Sequence, residues 1–111
     1  MPPSADDRLA HILERIKLIE RAIDGMTYDQ FADDEIIMAA VERFLAVICE
    51  ASIRLPEETK RQAPAIEWRR MNNFANLLRH AYHAAKPDEV WQIVQDHLPP
   101  LKAFVESQIS E

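Results

Sequence analysis

Apolar residues recur along this chain at helical intervals. Leu9, Ile12, Leu13, Ile16, Ile19 and Ile23 fall three or four positions apart, which predicts an amphipathic helix over about 4–24. Ser4 is placed to cap it, with Asp6 and Asp7 in the first turn, where the helix dipole favours acids. Asp24-Gly25 ends it, since glycine adopts the left-handed cap conformation without strain. Thr27-Tyr28-Asp29-Gln30 has the spacing of a capping box and predicts a short turn before the next helix.

The second segment, about 33–55, carries Ile36, Ile37, Ala40, Val41, Phe44, Leu45, Val47 and Ile48 as a broad apolar face, and Pro56 stops it. A polar linker from Glu57 to Ala63 leads to Pro64. The third segment, about 66–83, presents Trp68, Met71, Phe74, Leu77, Leu78 and Ala81. Pro87-Asp88 opens a fourth, with Val90, Trp91, Ile93, Val94 and Leu98 facing inward. Pro99-Pro100 interrupts the hydrogen-bond ladder, so the chain either kinks there or starts a short last helix, on which Leu101, Phe104, Val105 and Ile109 continue the apolar face. The pattern predicts an all-α, up-and-down bundle of four to five helices, one domain over 1–111. The third segment has more apolar surface than one internal core needs, which predicts dimerisation through that face.

Composition narrows the class. Apolar residues make up 48% and charged ones 29%, which excludes intrinsic disorder. Fifteen alanines stand against one glycine, Gly25, a balance that disfavours a turn-rich β-sandwich and rules out a glycine-rich phosphate loop. The single cysteine, Cys49, cannot form an intramolecular disulfide and suits a reducing cytosol. The acidic start and the lack of an 18-residue apolar run point to a cytoplasmic protein without signal peptide or membrane span. The net charge of −6 disfavours indiscriminate nucleic-acid binding. That charge is uneven: between Lys60 and Pro87, Lys60, Arg61, Arg69, Arg70, Arg79 and Lys86 face Glu67 alone.

His11 and His97 sit on helical segments with no evident partner and read as surface or boundary residues. Cys49 adjoins an apolar face and reads as a buried, inert thiol. The Met and Trp positions follow core periodicity. His80-Ala81-Tyr82-His83 differs, because it lies inside the basic island, after Arg79 and beyond Asn72, Asn73 and Asn76. Three readings are open. His80 and His83 could form an i, i+3 zinc pair, but no cysteine or nearby carboxylate completes it. The histidines could simply complement the dipole at a helix end. A metal-free ribonuclease would use a histidine as base for the ribose 2′-hydroxyl and an arginine to stabilise the phosphate transition state.

The chain resembles HepT-like members of the HEPN superfamily over nearly its whole length. The likeness is carried by Ala40-Val41-Glu42-Arg43-Phe44-Leu45 with Ile48-Cys49-Glu50-Ala51, by Ile66-Glu67-Trp68-Arg69, and by Asn76 followed by His80-Ala81-Tyr82. It continues through Asp88-Glu89-Val90-Trp91 and Asp96-His97-Leu98-Pro99-Pro100-Leu101-Lys102. The resemblance implies a HEPN-like helical bundle that forms a symmetric homodimer. An RNA-cleaving cleft would run along the interface, with no metal and no cofactor. It further implies a toxin of a toxin–antitoxin module, silenced when a minimal nucleotidyltransferase antitoxin transfers AMP to a tyrosine. His80 matches the motif histidine, Tyr82 the modified tyrosine and Asn76 the asparagine that follows the motif arginine.

The motif arginine is absent. Ala75 stands at its position, whether by natural degeneration or by an engineered change. Arg79 is four residues on, about 40° round the helix from residue 75 and one turn higher, so it is expected to stand in only if the segment unwinds. Cys49 replaces the family glycine before Glu50. Two functions follow. One is a ribonuclease toxin subunit with His80 as acid/base, Asn76 in support, and Arg69, Arg70 and Arg79 on RNA phosphates. The alternative is a catalytically dead bundle that serves as binding partner of a nucleotidyltransferase, which Ala75 favours.

Overall fold

Ser4 caps the first helix as its spacing predicts. Its Oγ accepts from the Asp7 amide at 3.1 Å, and the Asp7 carboxylate accepts from the Ser4 amide at 3.2 Å. Such a cap contributes about 1 kcal/mol. The computed structural model describes residues 4–79 and 86–109. Among these residues the chain forms seven helices: α1 (Ala5–Ala22), α2 (Tyr28–Asp33), α3 (Glu35–Ile53), α4 (Glu57–Arg61), α5 (Trp68–Arg79), α6 (Pro87–Asp96) and α7 (Leu98–Ile109). The five long ones are the segments read from periodicity. α2 and α4 are short additions.

Local chemistry sets most boundaries. Gly25 takes φ 75° in the turn that follows α1, where a side chain would be strained. Thr27 and Gln30 form the second capping box, and Asp34 Oδ1 caps α3 by accepting from the Ile37 amide at 3.0 Å. Pro99 and Pro100 occupy the first turn of α7, where amide hydrogens have no intrahelical partner, so the pair starts a helix instead of kinking one. Part of the stretch expected to be a polar linker is helical: Pro56 caps α4, with Glu57 and Glu58 at its positive end and Lys60 and Arg61 at its negative end.

α3 is the hub, packed by α1 on one side and α5 on the other, while α7 closes over α1 and α6. Leu9, Ile12, Ile16 and Ile19 of α1 meet Val41, Leu45 and Ile48 of α3, all buried, with Val90 of α6 and Leu101 and Val105 of α7 completing the core. Phe31 of α2 is wholly buried, with its ring 5.1 Å from that of Trp91. Ile36 departs from the expected apolar face and is 82% exposed. It lies in the first turn of α3, one residue and about 100° round the helix from half-buried Ile37.

Part of the third segment's apolar surface packs inside the chain, while Trp68, Phe74 and Leu77 stay only half-buried. Met71 and Leu78 are buried. The Trp68 indole donates to the carbonyls of Lys60 and Ala63, both at 3.1 Å, and its ring meets Phe104 edge-on at 5.8 Å. Phe74 packs on the His97 ring at 5.0 Å, which makes His97 a boundary residue, whereas His11 is exposed. No helix among the described residues is long and apolar enough to cross a membrane.

Candidate functional site

A groove of about 610 Å³ opens where α1, α3 and α5 meet. Its floor is aliphatic, made by Ala46, Val47 and Ala51 of α3 with Ala75 and Leu78 of α5. Its charge comes from four arginines, Arg8 on α1, Arg43 and Arg54 on α3 and at its end, and Arg79 in the last turn of α5, against Glu42 and Glu50. Arg43, Val47, Glu50 and Arg54 share the groove because steps of four, three and four residues keep to one helix face. A chain with a net charge of −6 thus collects a local excess of guanidinium at one concavity.

Ala75 is 3% exposed and faces this groove. The helix stays intact through Arg79, yet Arg79 lines the same groove. Arg79 therefore borders Ala75's surroundings without any unwinding. Residues four apart are neighbours on a helix surface, and the long arginine side chain spans the remaining 40° or so. Its guanidinium donates through Nη1 to Asn76 Oδ1 at 3.0 Å and through Nη2 to Glu50 Oε1 on α3. Glu50 also faces Arg54 at 3.8 Å. Arg8 and Arg43 have no carboxylate within pairing distance among the described residues.

Burial acts on two groups here. It raises the Glu42 carboxyl above the usual carboxylate range, since the charged form loses hydration. It pushes the Cys49 thiol up to about 12, with the neighbouring Glu50 charge adding to the effect. Cys49 is 1% exposed and keeps its proton, so it is no nucleophile at neutral pH.

The other predicted contacts divide. Arg69 lines a separate hollow with Trp68, Lys60 and Arg61. Arg70 pairs with Glu67 at 3.2 Å and borders a small hollow beside Phe74 and His97. Neither reaches the groove of Ala75. The basic island is thus a neighbourhood in sequence that the fold splits over three surfaces, with Lys60 turned to Glu57 at 3.0 Å. His80, Tyr82 and His83 lie outside the described residues. Among those described, no three His, Cys, Asp or Glu side chains converge as metal ligands. Sequence reasoning did not select Arg8, Arg43 or Arg54. Arg43 and Arg54 lie on the charged side of the second segment and Arg8 near the start of the first, and no local spacing marks the three as one site.

The geometry can bind an anion: guanidiniums over an aliphatic floor suit phosphate oxygens. Over 106 residues the chain is 36% identical to a Thermococcus cleftensis protein named a probable ribonuclease HepT, covering 96% of each. It is 35% identical over 99 residues to a Methanocaldococcus jannaschii protein whose name proposes an RNase, covering 87% of this chain and 82% of that one. A Caldanaerobacter subterraneus protein with a similar name is 25% identical over 97 residues, 87% of each. No solved structure matches significantly. The family described as ribonuclease HepT-like matches residues 12–108, which takes in all of α3 and α5 and all of α1 beyond its first turns. The chain belongs to the HepT-like ribonuclease family.

Proposed function

We propose that this chain is the toxin subunit of a toxin–antitoxin pair, an endoribonuclease that works as a homodimer in the cytoplasm. A minimal nucleotidyltransferase antitoxin silences it. The observation that carries the reading is the turn from Ala75 to Arg79, which borders the arginine-rich groove and leads directly to His80. In the proposed reaction His80 takes the proton of a ribose 2′-hydroxyl, and the 2′-oxygen attacks the adjacent phosphorus. The P–O5′ bond breaks, leaving a 2′,3′-cyclic phosphate and a 5′-hydroxyl that receives a proton. Asn76 supports the site by holding the Arg79 guanidinium. Arg79 stabilises the phosphate charge that grows in the transition state. The step uses no metal and no cofactor. Arg69 and Arg70, on other surfaces, would touch RNA only at a distance from the reacting phosphate.

Tyr82 is the acceptor of AMP in this reading. The added phosphate sits near Arg79 and Lys86 in sequence and places negative charge where RNA would need to bind. Incubation with a cognate nucleotidyltransferase and ATP should add AMP-sized increments to the intact mass, and Tyr82→Phe should abolish them. Light scattering at micromolar concentration should give a dimer. Cleavage of RNA in EDTA, ending in cyclic phosphate and lost in His80→Ala, tests the chemistry.

A second reading has one observation in its favour: the position matching the motif arginine carries only the Ala75 methyl. The chain would then be a catalytically dead partner of the nucleotidyltransferase. It would bind that protein and accept AMP while leaving RNA intact.

A further inference from the structure

Arg8 enters the groove from α1, outside the residues that match the family, and Arg43 meets it from α3. Both lack a carboxylate partner among the described residues, whereas Arg54 and Arg79 are drawn to Glu50. A guanidinium costs little to leave in water, but two converging on one concavity of an acidic protein repel each other, and a polyanion relieves that repulsion. The groove is walled by three helices and holds about 610 Å³, room for a flexible single strand. Duplex RNA is gripped by shape across many base pairs and would need a far longer surface. Among the described residues no aromatic side chain lines the groove, so none of them offers a platform for stacked bases.

We propose that the groove is a phosphodiester clamp for single-stranded RNA, in which Arg8 of α1 and Arg43 of α3 hold backbone phosphates, largely irrespective of base. The assignment rests on the ribonuclease reading for the choice of RNA as the polyanion. Arg54 and Arg79 are the pair tied to Glu50. Arg8 and Arg43 have no carboxylate partner among the described residues and are left to meet the strand.

The test reads binding apart from cleavage. Fluorescence anisotropy of the native chain with labelled 2′-O-methyl oligonucleotides, in EDTA, excludes attack by the 2′-oxygen. The double variant Arg8→Gln/Arg43→Gln should weaken binding roughly tenfold and flatten the log–log salt slope by about 1.4, the value for two phosphate contacts on a single strand. A control that removes equal charge elsewhere on α1, Lys17→Gln/Arg21→Gln, should change affinity by less than about twofold, because contacts beyond a Debye length are screened. Circular dichroism verifies that both variants are folded. Homopolymers of A, U and C should bind within a few-fold of one another. Equal losses in the two double variants, strong base selectivity, or no binding by the native chain would each overturn the clamp. Cleavage of unmodified RNA is assayed in parallel. Binding through the groove without cleavage keeps the clamp and refutes the ribonuclease, while cleavage indifferent to Arg8 and Arg43 does the reverse.

Discussion

Arg79 and Glu50 join the last turn of α5 to the last turn of α3 by an ion pair, and Asn76 holds the same guanidinium from within its own helix. The pair is solvent-exposed, at 55% and 39%, so water and salt screen most of its attraction. Glu50→Gln should therefore cost less than about 1 kcal/mol of folding stability in urea denaturation. Its larger effect should fall on the groove, where removing one of two carboxylates releases Arg79 and Arg54 toward a phosphate. Anisotropy should show tighter RNA binding, and weaker binding would mean that Glu50 positions the arginines more than it neutralises them.

Phe31 and Ile36 make a contrast within a few residues of each other. Phe31 is wholly buried against Trp91, and Ile36 is 82% exposed at the start of α3. Phe31→Ala loses transfer energy and leaves a cavity, for a cost of about 3–5 kcal/mol. Ile36→Ala should stay within about 0.5 kcal/mol of the native chain. Thermal melts of the two variants check both values.

The Cys49 thiol sets a pH dependence with a definite sign. Folding raises its pKa from the ordinary 9.0 to about 12, so the folded chain binds a proton that the unfolded chain releases. Its contribution is complete below pH 9 and is lost as the pH climbs through 12. At pH 7 to 8 the native chain should react very slowly with a disulfide exchange reagent, and chain unfolded in guanidinium should react at once. Rapid labelling of the folded chain would show that α3 opens locally at Cys49.

Features set by neighbouring residues could be read directly. Ser4 with Asp7, Thr27 with Gln30, and Pro99-Pro100 each act through groups within one helical turn, so local rules place them. The groove could not be read in the same way. Arg8 lies on α1, Arg43 and Arg54 belong to α3, and Arg79 to α5, and only packing of three helices brings them together. Counting charge by sequence proximity grouped Arg69 and Arg70 with Arg79, though helix rotation sends them to different surfaces. Ala75 could be picked out only through family likeness, because a buried alanine on a helix carries no chemical mark of its own.

Ala75 is also where the enzymatic proposal is most exposed to test. Its methyl faces a groove with room for a longer side chain, so an arginine there can extend into the groove instead of the core. Such a guanidinium would lie beside Arg79 and Arg54, and Glu42 and Glu50 are at hand to offset the added charge. Losing one preorganised transition-state donor typically costs about 10²–10³ in rate, so Ala75→Arg should raise cleavage by about that factor. The gain should persist in EDTA, because the arginine and His80 together supply the charge stabilisation and proton transfer. It should vanish in Ala75→Arg/His80→Ala, which separates a rebuilt active site from tighter RNA binding alone. Induction of Ala75→Arg should slow growth more than induction of the native chain, and an RNA gel reads the rate. If Ala75→Arg folds, binds RNA and still leaves a broad panel of RNAs intact, the partner-binding reading takes the place of the ribonuclease.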